Sequence, residues 1–571
     1  MTWKQWLGAV PEAGGTRFRV WAPKASSLWV NVKGGPSVPL RQEADGTFSG
    51  RAEGVGPGAR YFYRFPDGRE RPDPASLLQS DGVHGPSEIV DLQAIAPRSA
   101  RSPVPLEKLI FSEIHLGTYT AEGTADAAAG FMPELAEARF TAVEVMPVAV
   151  FPGSRNWGYD GVAPFAAHAD YGGPAALARL VDAAHAAGLS AFLDVVYNHL
   201  GPEGNYLGEF GPYFTPKHKT PWGDALDFSL PPVRRYFVEN ALRWVSRAGG
   251  GFDGLRLDAI HGIYDESPKH ILQEIAEAVH GEGGLVIAES DLNDAKLIER
   301  YGLDASWADD LHHALHVALT GDSQGYYADF QDPMPKMVAA IERGWFYQGQ
   351  HKPSFGRKHG TPAAHLRARH FVVCAQNHDQ IGNRAQGERL TELTDEGGLR
   401  AAAAVIALQP ALPLYFQGEE WGAREPFQYF VSHTDPALVE AVREGRREEF
   451  KGFAWTDVPD PFAEQTFRRS RIDRGRKDAR ALDWHKALLK LRQEHPALRD
   501  DARERVQASV QGMTLLVQRG SVLLVAAFDV QPSEARLPSG RWRALLDSGS
   551  ASLGGERIRF RGRGAAVLEP G

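Results

Sequence analysis

Apolar and polar positions change rhythm twice along the chain. Over residues 1–95 they alternate. Arg17-Phe18-Arg19-Val20-Trp21 and Leu28-Trp29-Val30-Asn31-Val32 put every second side chain on one face, the period of a half-buried strand. Asp45-Gly46, the glycines from Gly54 to Gly58, and Asp67-Gly68 separate these runs as turns. A small β-sandwich is predicted there. Pro and Arg crowd residues 97–105, so 96–108 reads as a linker. From 109 to 498 short apolar runs alternate with helical stretches rich in Ala and Leu. The runs fall at 109–114, 142–146, 190–196, 254–258, 285–289, weakly at 306–307, then 371–375 and 412–416. Helices are predicted at 131–138, 175–187, 233–247 and 270–279. Eight strands with helices between them predict an α/β unit, a parallel sheet closed as a (β/α)8 barrel. Residues 342–362, beginning Glu342-Arg343-Gly344-Trp345-Phe346-Tyr347, form an aromatic and basic loop inserted before the seventh strand. A helix bearing Leu488, Leu489 and Leu491 stops before Pro496 and closes the barrel. Alternation returns at 515–518, 522–528 and 542–545, which predicts a second small β-domain over 499–571.

The ends of the barrel runs carry the candidate chemistry. Alternation in 254–258 turns Leu255 and Leu257 one way, and Arg256 and Asp258 the other. Other runs end at Asp194-Val195-Val196-Tyr197-Asn198-His199, at Glu289-Ser290, at Asp309-Asp310-Leu311-His312-His313 and at Gln376-Asn377-His378-Asp379-Gln380. Each is an apolar run that stops at a carboxylate or histidine. One such ending has a structural explanation, an ion pair in a core strand. Five in register imply one polar pocket at the C-terminal face of a barrel, where such folds hold their chemistry. Hydrolysis of a glycosidic bond needs a carboxylate nucleophile and a carboxylic acid, set about 5–5.5 Å apart when configuration is retained. Asp258 and Glu289 lie on adjacent strands. Arg256 favours the charged form of Asp258, and the apolar run before Glu289 favours its protonated form. Asp379 can stabilise positive charge on the sugar ring, and His199 and His378 can hydrogen-bond its hydroxyls.

Composition narrows the picture. In 571 residues, 43% apolar and 24% charged side chains are ordinary for a globular protein. A net charge of −9 without a long basic run argues against nucleic acid as partner. The lone cysteine, Cys374, sits in an apolar run and reads as a core residue, so no intrachain disulfide is expected. The N-terminus has no apolar leader, and no run is long enough to span a bilayer, so a cytoplasmic protein without membrane partners is expected.

Asp194 to His199, Gly254 to His261, Val286 to Ser290 and Gln376 to Asp379 resemble, in order, the four short motifs of the α-amylase family of glycoside hydrolases. The resemblance spans about 380 residues of barrel. It implies Asp258 as nucleophile, Glu289 as general acid/base and Asp379 as transition-state stabiliser. Arg256, His199 and His378 would line the same sugar subsite. Asn156-Trp157-Gly158-Tyr159-Asp160-Gly161 resembles the family segment whose tyrosine stacks on that sugar, which assigns Tyr159. His261, Asp310, His313 and Gln380 complete the expected substrate contacts, and Asp194 is assigned to holding Arg256. Phe18 to Pro23 is similar to the N-terminal domain of branching enzymes, isoamylases and trehalohydrolases. The segments 113–124, 288–294, 309–316 and 444–450 look like the trehalohydrolase versions. Ala288 stands where many members have Gly, and His261-Gly262 where many have Lys-His, departures that fit that branch. The resemblance implies cleavage of the α-1,4 bond beside the terminal trehalose of maltooligosyl trehalose, with His261, Asp291 and the 342–362 loop as candidates for holding the trehalose. A glycogen branching enzyme is the main alternative. A non-catalytic glucan-binding barrel would have lost a carboxylate. A metal-dependent hydrolase lacks its ligand spacing here. Some amylases bind calcium near the counterpart of Asn198, but no cofactor or metal is required by this sequence. A monomer or weak homo-oligomer is expected.

Overall fold

The computed structural model describes residues 3–99, 103–450 and 458–571; three residues of the expected linker, 100–102, lie outside this set, as do the side chains of Glu449 and Phe450 from the 444–450 segment. Eight strands close into a barrel, in chain order: Phe111–Ile114, Ala142–Val145, Ser190–Val195, Gly254–Leu257, Leu285–Ala288, Ala305–Trp307, Phe371–Cys374 and Leu412–Phe416. Every neighbouring pair is parallel, including the last with the first. Both faces of such strands are covered, so the runs are apolar throughout.

Parity along each strand divides the interior into a dry floor and an ionic top. Phe111, Ala142, Phe192, Ile287, Trp307, Val372, Cys374 and Leu414 pack together inside the barrel. Cys374 is therefore core. Two residues further along the same face come Glu113 after Phe111, Glu144 after Ala142, Asp194 after Phe192 and Glu289 after Ile287. Gly254 makes room for this packing. A Cβ there would lie 2.2 Å from Phe192 Cε1.

The N-terminal sandwich pairs two sheets. One contains Gly8–Glu12, Gly15–Trp21, Arg41–Gln42 and Thr47–Glu53; the other contains Trp29–Val32, Ser37–Pro39, Arg60–Arg64 and Glu70–Arg71. Phe18 of one meets Tyr61 of the other edge to face at 4.9 Å. The sandwich is held to the barrel helix Pro231–Val245, where Tyr236 Oη donates to the Pro74 carbonyl at 2.6 Å and Glu239 accepts from Trp3 Nε1 at 2.9 Å. The C-terminal β-domain has a five-stranded and a three-stranded sheet around its own apolar core. Arg519 Nη1 ties it to the barrel by donating to the Leu408 carbonyl at 2.8 Å. No helix among the described residues is long and apolar enough to cross a membrane.

Between the sixth and seventh strands the chain runs through the helices Asp309–Thr320 and Pro333–Arg343 before the expected loop. That loop is neither loose nor wholly packed. Trp345 and Tyr347 are buried, whereas Arg357 and Lys358 stand in solvent on a two-residue ladder with His351 and Lys352.

Candidate active site

Arg256 is the hub of the site. Its fully buried guanidinium donates through Nη1 to Asp258 Oδ1 at 2.7 Å and to Asp194 Oδ2 at 2.8 Å. Nη2 lies 3.8 Å from Glu289 Oε2. Asp258 and Glu289, from adjacent strands, therefore flank a single cation. The second Asp258 oxygen accepts from Asn198 Nδ2 at 2.7 Å, so two donors fix the carboxylate's orientation. After Asp258 the backbone turns left-handed at Ala259, with φ 38° and ψ 52°. That conformation costs a non-glycine residue about 1 kcal/mol or more. It aims the Ala259 N–H at Glu289 Oε2, 2.6 Å away. Burial pushes the Glu289 carboxyl above the usual range; Arg256 opposes the shift, and Asp258 and Asp379 reinforce it.

Asp379 stands in the first turn of the helix His378–Gly382, with its side chain 40% exposed to the opening. Asp258 and Glu289 are only 12% and 13% exposed, so the three carboxylates grade from cleft wall to cleft floor.

A continuous chain of polar contacts supports this group. Glu113 accepts from the His378 backbone N–H at 3.0 Å and faces its Nδ1. His378 Nε2 lies 2.7 Å from Tyr159 Oη, which donates to Asp194 Oδ2 at 2.7 Å. Burial opposes a charge on His378, but Glu113 and Asp379 outweigh it and push its pKa up to about 9. At neutral pH the ring is then cationic, and both nitrogens donate. Because the folded value exceeds the ordinary 6.5, this contribution is present in full below pH 6.5 and is lost as pH rises through 9. Thermal melts from pH 6.5 to 9.5 are expected to show a fall in stability that is flattened in Glu113→Gln. An equal slope in both proteins would remove Glu113 from that role.

Gly158 sets up Tyr159. Its φ is +108°, and a Cβ would lie 2.2 Å from the Pro147 carbonyl oxygen, so no other residue fits this turn. The Tyr159 hydroxyl is spent inside the protein, and its ring stacks on the His378 imidazole at 5.1 Å.

The expected residues divide into three groups. Arg256, Asp258, Glu289, Asp379, His378 and Tyr159 meet at one place. His199 is beside them, but its ring already faces the Tyr159 carbonyl through Nε2, at 2.8 Å, and Asn198 through Nδ1. A sugar hydroxyl would have to displace one of these contacts. Trp222, exposed at the tip of the hairpin Phe214–Thr220 and Gly223–Leu226, stacks on that imidazole at 3.6 Å. His261 lies at the rim, 3.6 Å from Asp291. His313 and Gln380 form a wall with Tyr326, whose ring is 4.8 Å from His313 and whose hydroxyl reaches Gln380 Oε1 at 3.5 Å.

Asp310, also expected among the substrate contacts, is buried and accepts from Asn293 Nδ2 at 3.0 Å and from the backbone N–H groups of Phe346 and Tyr347 at 2.7 and 2.9 Å. It anchors the inserted loop. Asp310→Ala is expected to destabilise the protein by roughly 2–4 kcal/mol in denaturant titration, because buried donors lose their acceptor. It should also open residues 344–362 to limited proteolysis; unchanged cleavage there would contradict the anchoring role.

The residue in register with the other inward acids is Asp309, the first of the same run. Trp307 faces inward, so the position two later returns to that face. Asp309 is half-buried, and burial together with Glu289 and Asp379 pushes it up to about 8. Parity from Trp307 was the signal for it.

Comparisons with known proteins fit this geometry. No family model matches the chain. A 1.4 Å crystal structure of a Salmonella typhimurium protein named as an alpha amylase superposes with a TM-score of 0.92 at 35% identity, covering 99% of this chain and 100% of that one. A pullulanase from Anoxybacillus sp. LM18-11, complexed with maltotriose, shares the fold alone: TM-score 0.74, 18% identity, 100% and 86% coverage. A (β/α)8 barrel with a β-domain at each end is the architecture shared with these structures. A malto-oligosyltrehalose trehalohydrolase of Deinococcus radiodurans is 44% identical over 90% of this chain and 87% of its own length. One of Saccharolobus solfataricus is 42% identical over 84% and 86%. The chain belongs to the malto-oligosyltrehalose trehalohydrolase family. A glucan branching enzyme of Xanthomonas campestris is only 25% identical, over 97% of this chain and 78% of its own.

Proposed function

We propose that this protein hydrolyses the α-1,4-glucosidic bond beside the terminal trehalose unit of maltooligosyl trehalose and releases trehalose with retention of configuration. The observation that carries the chemistry is Asp258 and Glu289 on either side of the Arg256 guanidinium. Asp258, oriented by Arg256 and Asn198, attacks the anomeric carbon. Glu289, whose acid form burial favours, gives its proton to the glycosidic oxygen, and trehalose departs. The glucan remains joined to Asp258 through its anomeric carbon. Water then attacks that carbon, Glu289 takes the water's proton, and Asp258 leaves as carboxylate. Asp379 faces the ring from the cleft wall and stabilises its positive charge. Tyr159 and His378 shape the same subsite, and His199 borders it. His261 and Asp291 at the rim, with the wall of Tyr326, His313 and Gln380, are in place to meet sugars on the other side of the cut. The terminal β-domains, taken as 1–95 and 499–571 about a catalytic unit of 109–498, buttress the barrel. The reaction belongs to the cytoplasm.

Product analysis tests the reading. Free trehalose is expected from maltooligosyl trehalose, with far slower cleavage of the plain maltooligosaccharide of equal length. New α-1,6 branches on amylose without free trehalose would make the chain a transferase instead.

A further inference from the structure

A second cavity lies outside the barrel wall, away from the catalytic cleft. It has a volume of about 430 Å³ and opens between the helices Glu396–Leu408 and Ala479–Glu494, beside the turn Glu419–Trp421. That size falls in the usual range of ligand sites, about 300–1,000 Å³. Its inner surface is polar in an unusual way. Tyr415, one residue out of phase with the inward Leu414 and Phe416, turns its ring outward against His485 at 4.8 Å. Tyr415 Oη, His485 Nε2 and Glu420 Oε2 are buried and have no hydrogen-bond partner among the described residues. Three such atoms lining one cavity are costly unless something in it completes them, at roughly 1–3 kcal/mol each.

The charges at the mouth are already matched. Arg400 pairs with Glu396, Arg424 with Glu392 at 3.1 Å, and Arg476 with Glu425 at 3.5 Å. Burial pushes the floor carboxyls Glu419 and Glu420 up to about 8 and about 7, so the floor carries little charge, and the paired arginines add none. What fits is a neutral molecule that both donates and accepts. The His485 ring bonds the Ala138 backbone through its other nitrogen, so Nε2 is left to accept, whereas the Tyr415 hydroxyl can donate. Trp484 lines the cavity with a half-buried indole, fixed by its Nε1 donating to the Arg400 carbonyl at 3.1 Å. An aromatic face beside convergent hydroxyl partners suits a sugar ring, whose C–H face is apolar and whose edge is hydroxyl.

We propose that this cavity is a second, non-catalytic binding site for a neutral mono- or disaccharide, seated on Trp484 and hydrogen-bonded by Tyr415, His485 and Glu420. One lining residue belongs to a strand end that also bears a residue of the catalytic cleft. Gln376 lines the cavity, hydrogen-bonds Glu419 and accepts from the Leu390 N–H at 2.8 Å; it lies two positions before His378 on the same strand end.

Crystals of the wild-type protein soaked in trehalose, and separately in maltose, are expected to show a sugar ring against Trp484 as well as in the cleft. Calorimetric titration with the same sugars is expected to show two classes of site. Tyr415→Phe and, separately, Trp484→Leu are expected to weaken the second class by about tenfold or more, the loss of one hydrogen bond or one stacking face. Turnover of dilute maltooligosyl trehalose should stay within twofold in both. Water alone in the cavity of a crystal whose cleft holds sugar would overturn the assignment. So would a single class of site in the wild-type titration.

Discussion

Asp258→Asn is expected to fold as the wild type does and to turn over maltooligosyl trehalose roughly 10⁴- to 10⁶-fold more slowly, the scale on which removing a nucleophile acts. The fold should survive because Arg256 keeps its bond to Asp194, and the amide oxygen can still accept from Arg256 at the position now 2.7 Å away. The rate should not survive, because a neutral amide cannot form the glycosyl ester. KM should change little, since the proposed sugar-facing residues Tyr159, His378 and Asp379 are untouched. A residual rate within a hundredfold of wild type, in a protein with an unchanged melting temperature, would remove Asp258 from the nucleophile's role.

Glu289→Gln is expected to cost about 10²- to 10⁴-fold in kcat and to remove the alkaline limb of the pH–rate profile. The sign follows from its surroundings. Burial raises its pKa, so the acid form persists toward neutral pH, and the rate falls as rising pH removes that proton. The glutamine has no proton to lose, and the limb should vanish with it. The amide also occupies the position that receives the Ala259 N–H, so local structure is expected to hold. A profile of unchanged shape would place the proton donor elsewhere, and Asp309 would be the first residue to examine. It lies close to both Glu289 and Asp379, and its pKa is pushed up to about 8.

The barrel was legible because each strand is short, apolar on both faces and bounded by helical spacing. Even the weak run at 306–307 proved to be the three-residue strand Ala305–Trp307. The site was legible where parity and burial act within one strand, as in Arg256 and Asp258. It is less legible where the strand has already ended. Asp309 and Asp310 are adjacent and chemically identical in sequence; only the inward turn of Trp307 separates a cleft carboxylate from a loop anchor. The contacts that hold His199, with Tyr159 and Trp222, come from distant segments and leave no periodic trace. Glu113 and Glu144 fall inside apolar runs, where nothing in the sequence marks them as partners. Their side-by-side pairing in register, under His378 and Arg256, exists only once the barrel closes. Glu144 is buried with neither oxygen partnered among the described residues, and burial together with Glu113 keeps its pKa well above the ordinary range.

The loop at 342–362 shows the same limit from the other side. Its aromatic composition marked it as more than a linker. Which of its residues pack and which stand in solvent depends on Asp310 reaching across to the N–H groups of Phe346 and Tyr347.

The most direct measurement is to trap the glycosyl-enzyme. A 5-fluoro glucosyl fluoride loses its anomeric fluoride to the nucleophile, and the remaining fluorine slows release of the sugar. Peptide mapping by mass spectrometry should place one fluoroglucosyl group on the peptide containing Asp258. Labelling of a peptide that carries Glu289, Asp309 or Asp379 instead, or turnover that proceeds with inverted product, would contradict the assignment.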